Sequence, residues 1–222
     1  MHPPDAVHLL LLAKAPRPGR AKTRLTPPRT PYQAADVARA ALLDTLDVLR
    51  AVPAARRTVV LDGDAAGLLP PDCHVLPQRS GDLGARLAGA FADAHAACPA
   101  PLRLVGMDTP QLTPALVGDA VRALHVPGTG AVLGPAEDGG WWALGLHRPL
   151  TGAFDGVPMS TGHTGAAQRA RLETLGLRTA LLPALRDIDL ASDLPLVRPA
   201  LAARTRLTVL LDRLLDRLEP VA

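Results

Sequence analysis

Along this chain, short apolar runs alternate with longer segments in which apolar positions recur every three or four residues. That alternation predicts strands and helices layered in an α/β sheet. Residues 7–13 are apolar except for His8, the pattern of a strand buried on both faces. A loop of Pro, Gly and Arg follows. Ala34, Val37, Ala41, Leu42 and Leu49 then keep a helical period over 31–50. Strands are predicted at 58–61, 74–76, 102–107, 131–133, 141–146 and 178–182, and helices at 82–97, 114–124 and 165–175. Thr113-Pro114 supplies an N-cap and a first-turn proline for the third helix. A closing helix over 201–218 carries Leu207, Leu211, Leu214 and Leu218 on one stripe. That stripe is expected to pack on the chain's own sheet or to join two subunits, leaving a monomer or a homodimer.

Composition narrows the picture. A hydrophobic share of 48% excludes a disordered polar chain, while the aromatic share of 2% leaves the core to Leu, Val and Ala. With 222 residues, no internal repeat and no long linker, a single domain over 1–222 is expected. No apolar run reaches membrane-spanning length, because the first is stopped by Lys14. Nor does the start read as a signal peptide, since no Lys or Arg precedes that run. A cytoplasmic protein without membrane contact is expected. Cys73 and Cys98 form no CxxC pair and suggest neither a disulfide framework nor a zinc site.

The net charge is +3, and of 24 cations only Lys14 and Lys22 are lysines. Both fall in the loop after the first strand, with Arg17, Arg20 and Arg24. No acidic residue lies between Asp5 and Asp36, so the loop calls for an anion to neutralise it. Gly19 lets the backbone approach that anion, and in open α/β sheets ligands bind outside the carboxyl ends of strands. Phosphate binding by Ala13, Lys14, Gly19, Lys22 and Arg24 is therefore expected. A solvated basic loop or a nucleic-acid patch are the alternatives, but no aromatic stacking group precedes Tyr32 in this stretch, which argues against nucleic acid. The Walker A pattern is absent.

Carboxylates supply the second half of a site. Asp108 follows a buried strand, where it could hold Mg²⁺ or only satisfy an Asp-Thr-Pro turn. Asp187 and Asp189 are spaced to share one face of a strand end; one of them could complete a metal site, or either could support a turn capped by Ser192. Glu137-Asp138-Gly139-Gly140 reads as a turn whose glycines would let a substrate approach while Asp138 binds a sugar or ribose hydroxyl. Gly81 to Arg86 reads as a helix start, and Ser160 and Thr161 lie in a polar loop placed to meet an acceptor. His163 is assigned no role.

Several of these segments carry a resemblance. Leu12-Ala13-Lys14-Ala15-Pro16-Arg17-Pro18-Gly19-Arg20-Ala21-Lys22-Thr23-Arg24-Leu25 resembles the opening motif of the DUF2064 family. Gly81-Asp82-Leu83-Gly84-Ala85-Arg86-Leu87 is similar to its GdLGxRL segment, and Gly106-Met107-Asp108-Thr109-Pro110-Gln111-Leu112 to its GxDxPxL strand end. Residues 134–146 resemble its GPAxDGGYxLiGL signature, with Trp141 in place of Tyr, and residues 187–194 its DIDTxxDL, with Leu190 in place of Thr. Met159 stands where members often have Trp.

The resemblance implies a three-layer α/β/α fold with a mostly parallel sheet, of the nucleotide-diphospho-sugar transferase (GT-A) type, related to phospholactate and molybdopterin guanylyltransferases. It implies Asp108 as metal ligand, Asp189 as the match to a second metal aspartate, and Gly81 and Arg86 in nucleotide binding. The substrate residues are Asp138, Gly139, Gly140, Ser160 and Thr161. The function expected is metal-assisted transfer with Mg²⁺ or Mn²⁺. Five loop cations favour nucleotidyl transfer from a triphosphate to a small phosphorylated or acidic acceptor, with Lys22, Arg24 and Asp108 catalytic. Glycosyl transfer from a nucleotide-sugar is the alternative that the family label implies, and non-catalytic nucleotide binding is a third.

Overall fold

Leu9, Leu10 and Leu11 are all fully buried, so the first strand is covered on both faces. A computed structural model of the chain describes residues 6–64 and 67–216. The strands are β1 (His8–Lys14), β2 (Arg56–Asp62), β3 (His74–Pro77), β4 (Leu102–Gly106), β5 (Ala131–Pro135), β6 (Trp141–Leu146) and β7 (Thr179–Leu181). They form one sheet in the order β3-β2-β1-β4-β6-β5-β7, in which only β6 runs against its neighbours. The chain steps outward from β1 to β2 and β3, then returns across β1 to β4. The crevice outside the carboxyl ends of β1 and β4 is therefore the topological switch point, where such sheets bind ligands.

Strand alternation sorts the core into two layers. Leu9, Leu11, Val59, Leu61 and Val105 face α1 (Pro31–Arg50) and α3 (Pro114–His125). Leu10, Val60, Leu104, Leu133 and Leu144 face α2 (Leu83–Ala97) and α4 (Thr164–Thr174). Local signals start the helices. Thr30 and Gln33 exchange side chain-to-backbone hydrogen bonds in a capping box, Asp82 accepts from the Ala85 amide at 2.8 Å, and Thr113 caps α3 ahead of Pro114. The one cation inside β4, Arg103, is 3% exposed and donates to the Ala120 and Leu102 carbonyls, both at 2.9 Å. Burial pushes its pKa down to about 9. Among the described residues, no helix is long and apolar enough to cross a membrane.

The end of the chain departs from expectation. Leu201 is extended and Arg204 has φ 64, so no helix runs through 201–205; α6 spans Arg206–Asp216, after the short α5 (Asp193–Val197). Leu218 lies outside the described residues. The stripe of Leu207, Leu211 and Leu214 packs on the outer face of α1, against Val37 and Ala41, and not on the sheet. Arg206 ties it down through Asp44 at 3.0 Å and Asp47 at 2.6 Å. These three leucines are at most 5% exposed, so they are not free to join a second subunit.

His8 is the polar exception in β1. Its Nε2 lies 2.7 Å from the Thr58 hydroxyl, and burial pushes its pKa down to about 4. Between that value and the usual 6.5 the unfolded chain binds the proton and the folded chain does not. Stability from this group is therefore whole above about pH 6.5 and falls by about 3 kcal/mol as pH drops to 4. The buried Asp187 carboxyl, pushed up to about 6, opposes part of the trend. Comparing Tm against pH for the protein and for His8→Gln isolates the histidine. The protein should lose more Tm between pH 7 and 4 than the variant; parallel curves would show that His8 carries none of the acid sensitivity.

Candidate functional site

The loop leaving β1 turns back through Lys22, whose backbone sits in the left-handed region at φ 52, ψ 39 just before a 3-10 turn over Thr23–Leu25. A lysine gains nothing locally from that conformation, so its surroundings must hold it there. They do so through charge. The ammonium lies 2.6 Å from Asp108 Oδ1 and 3.9 Å from Asp189 Oδ1, and it donates to the Ile188 carbonyl. The side chain is only 7% exposed. Arg24 reaches the other oxygen of Asp189 at 2.9 Å. Three separate segments thus meet at one cluster: the β1 loop, the end of β4 and residues 187–189.

The loop's charge is balanced differently from the sequence reading. Lys14 lies 3.9 Å from Asp62, and Arg17 lies 3.7 Å from Asp64. With Lys22 and Arg24 paired as above, four of the five cations face the protein's own carboxylates, so an external anion is not needed to neutralise them. Arg20 forms no ion pair among the described residues.

A cavity of about 330 Å³ opens over this cluster. Ala13, Lys14, Lys22, Arg24, Arg86, Asp108 and Asp189 line it together, as do Arg20 and Gln78. Gly19 and Gly81 do not line it; both have positive φ and serve the turns they sit in. Arg86 is no free surface cation: it donates to Gln78 Oε1 at 3.1 Å and lies 3.7 Å from Asp62. Gln78 in turn donates to the Ala13 and Val60 carbonyls at 2.9 and 3.1 Å. Sequence reasoning missed Asp62 and Gln78. Asp62 directly follows the predicted strand 58–61, but only the parallel register of β1 and β2 sets it beside Lys14.

A second cavity of about 740 Å³ shares Arg24, Asp108 and Asp189 with the first. Asp138, Gly140, Ser160 and Thr161 line it, along with Trp141 and Arg186. Arg186, also missed, lies 2.5 Å from Glu137 and 3.7 Å from Asp193. Gly139 does not line it. A Cβ there would sit 2.0 Å from the Gly162 carbonyl oxygen, so its missing side chain serves the packing of two loops and not the approach of a substrate. The Gly165 amide closes the same contact on the Gly139 carbonyl at 2.8 Å.

Residues 187–189 form no strand, so the expected alternation does not apply. The Thr109 hydroxyl donates to Asp187 Oδ1, while Asp189 faces Lys22 and Arg24. Burial pushes the Asp187 carboxyl up to about 6; the Thr109 bond pulls it down, and the nearby Asp108 charge raises it further. Ser192 makes no capping bond; Asp193 accepts from the Asp189 and Leu190 amides instead. Among the described residues no three His, Cys, Asp or Glu side chains are grouped to hold a metal ion. Asp108 and Asp189 converge on one point occupied by a cation, which suits a hard ion that takes one or two carboxylates plus phosphate oxygens.

With this geometry in hand, the chain can be set beside known proteins. The family model described as "Uncharacterized protein conserved in bacteria (DUF2064)" matches residues 45–161, just over half of the 222, and the chain belongs to that family. No curated protein matches. A crystal structure from Desulfovibrio desulfuricans G20, provisionally named a nucleotide-diphospho-sugar transferase, is 26% identical at a TM-score of 0.85, over 95% of this chain and 97% of that one. A CMP:2-keto-3-deoxy-manno-octonic acid synthetase complexed with CTP is 13% identical at 0.56, over 87% and 97%. A Pyrobaculum calidifontis mannosyltransferase in complex with GDP-Man and Mn²⁺ is 14% identical at 0.51, over 82% of this chain and 56% of that one. The fold is thus the mixed, mostly parallel α/β sheet of the GT-A type.

The packed glycine loops generate a direct test. In Gly165→Ala a Cβ would meet the Gly140 carbonyl oxygen at 2.4 Å, so the two loops must part. The variant should lose roughly 1–3 kcal/mol by denaturant unfolding, the usual cost of overpacking. Unchanged stability would show that these loops are loosely held.

Proposed function

We propose that this member of the DUF2064 family is a metal-assisted, nucleotide-dependent transferase that moves a sugar from a nucleotide-sugar to a small acceptor. The observation that carries it is the shared wall: Arg24, Asp108 and Asp189 line both cavities, so a phosphate in one and a second substrate in the other meet at those three side chains. Lys22, Arg24, Arg20, Lys14 and Arg86 border the first cavity and outnumber its carboxylates Asp62, Asp108 and Asp189, so the donor's phosphates would meet net positive charge there. Asp108 and Asp189 would hold Mg²⁺ or Mn²⁺, which when bound neutralises charge on the departing phosphate. The Lys22 ammonium already rests on those two carboxylates, so it competes with a metal for them and, once displaced, is free to donate to phosphate.

In the transfer, an acceptor hydroxyl oxygen forms a bond to the anomeric carbon as that carbon's bond to the diphosphate oxygen breaks. The electron pair leaves with the nucleoside diphosphate, and the hydroxyl proton passes to a carboxylate of the second cavity. Lys22 and Arg24 meet the charge that develops on the leaving group. Two observations support a sugar over a nucleotidyl group. Four loop cations are matched by internal carboxylates, which weakens the case for a triphosphate. The second cavity offers Trp141 with carboxylates such as Asp138, a lining suited to hydroxyls on an apolar ring. Nucleotidyl transfer is the second reading, favoured by Arg20, which lines the first cavity and forms no ion pair among the described residues, and by the likeness of fold to the CTP-bound synthetase.

Nucleoside diphosphates at a hundredfold excess over Kd should raise Tm by roughly 5 °C or more, and further with Mg²⁺ or Mn²⁺. A panel of nucleotide-sugars should then show slow metal-dependent hydrolysis to the nucleoside diphosphate and free sugar. Exchange of labelled pyrophosphate into a nucleoside triphosphate would instead establish nucleotidyl transfer. Binding without either reaction would leave a nucleotide-binding protein, and no Tm shift with any nucleotide would remove the phosphate site itself.

A further inference from the structure

The second cavity has a charge of its own, apart from the phosphate loop. Six carboxylates line it: Asp108, Glu137, Asp138, Asp187, Asp189 and Asp193. Among the described residues only two cations do, Arg24 and Arg186, and neither is free. Arg24 is bound to Asp189 at 2.9 Å, and Arg186 is held between Glu137 at 2.5 Å and Asp193 at 3.7 Å. Lys22 stands behind the shared wall on Asp108. Adding Lys22 and a divalent cation to the two arginines still leaves the carboxylates in excess, before any donor phosphate brings further negative charge. Asp138 has no cationic partner among the described residues; its Oδ1 accepts from the Gly140 amide at 2.8 Å. Leu83, Leu87, Leu104, Trp141 and Met159 form an apolar part of the wall, with the half-exposed Leu190 at the edge, and Ser160, Thr161 and Thr164 add uncharged hydroxyls.

From this lining we infer that the second cavity takes an uncharged or cationic hydroxyl-bearing molecule with an apolar face, and excludes phosphorylated and carboxylated ones. The reason is physical. Ionised carboxylates are acceptors only, so they pair well with hydroxyl and ammonium donors. An anionic ligand would need a free cation to offset its lost hydration, and both arginines here are already engaged. The inference reverses the expectation, drawn from the basic loop, of a phosphorylated or acidic acceptor: that loop's cations serve the first cavity. It deepens the proposed transferase reading by naming the class of its second substrate, and it rests on that reading for the cavity's role.

The chain's two tryptophans, Trp141 and Trp142, both line this cavity, so intrinsic fluorescence reports on it directly. The probes are glucose, glucosamine and glucuronate, alike in size and neutral, cationic and anionic at pH 7. Each is titrated against the full chain in Mg²⁺ with a nucleoside diphosphate present, and the nucleoside diphosphate is titrated separately. Glucose and glucosamine should bind at least roughly tenfold more tightly than glucuronate, the discrimination that one like-charge contact provides near a protein surface. In Glu137→Gln, which leaves Arg186 with one carboxylate fewer, glucuronate should gain affinity while glucose does not. Glucuronate binding as well as glucose, or no saturable response to glucose and glucosamine, overturns the inference. If the nucleoside diphosphate binds while that discrimination fails, the inference falls alone. If the discrimination holds while no nucleotide binds, the charge selection stands and the transferase reading falls.

Discussion

Everything at this site depends on one buried ammonium. Lys22 is nearly inaccessible, its backbone is held in a conformation that lysine does not favour, and its charge is shared between Asp108 and Asp189. Remove it and two carboxylates from distant parts of the chain face each other at the mouth of the switch-point crevice. Like charges in such a place repel strongly, because the surrounding protein screens them less than water does. The ammonium therefore joins the β1 loop to the end of β4 and to the 187–189 segment, and this junction forms the wall between the two cavities. A loop that reads as an excess of positive charge is, in three dimensions, one half of a balanced ion network.

That difference shows what the sequence could and could not reveal. Strand and helix positions were legible because they rest on local periodicity and caps, as at Thr30, Asp82 and Thr113. The order of segments resembling the family's motifs was legible too, and so was the fold it implies. Partners were not. Nothing local pairs Lys14 with Asp62 or Arg186 with Glu137; those contacts follow from strand order and from the path of the chain after β7. Gly139 departs from its expected role for a related reason, while Gly140 beside it does line the second cavity. The Asp-Gly-Gly sequence fits a turn open to a ligand, but the backbone at Gly162 that closes over Gly139 comes from more than twenty residues away. Likewise the stripe of leucines in α6 records only that a face is buried, not what buries it, so sheet and second subunit were the candidates and α1 was not.

The two cavities then divide the work by charge. The first is bordered by cations held in place by internal carboxylates, an arrangement that would meet a phosphate with little reorganisation. The second is bordered by carboxylates over an apolar wall. Their contact at Arg24, Asp108 and Asp189 sets these opposite kinds of surface side by side within one crevice, as the proposed transfer of a sugar from an anionic leaving group to a hydroxylic substrate would need. On the proposed reading, this polarity keeps the two substrates from occupying each other's place.

The central claim is that Lys22 and a divalent cation compete for Asp108 and Asp189 while Lys22 and the nucleotide's phosphates attract. Binding of Mn²⁺, followed by loss of its free electron-spin resonance signal, tests this in the protein and in Lys22→Met. The account predicts opposite signs: the variant binds Mn²⁺ alone more tightly, yet binds a nucleoside diphosphate more weakly, by roughly ten- to a hundredfold, as expected for a lost charge-assisted hydrogen bond. A variant whose affinity for Mn²⁺ alone is unchanged or weaker would contradict it, and would place the metal away from the cluster on which the site is built.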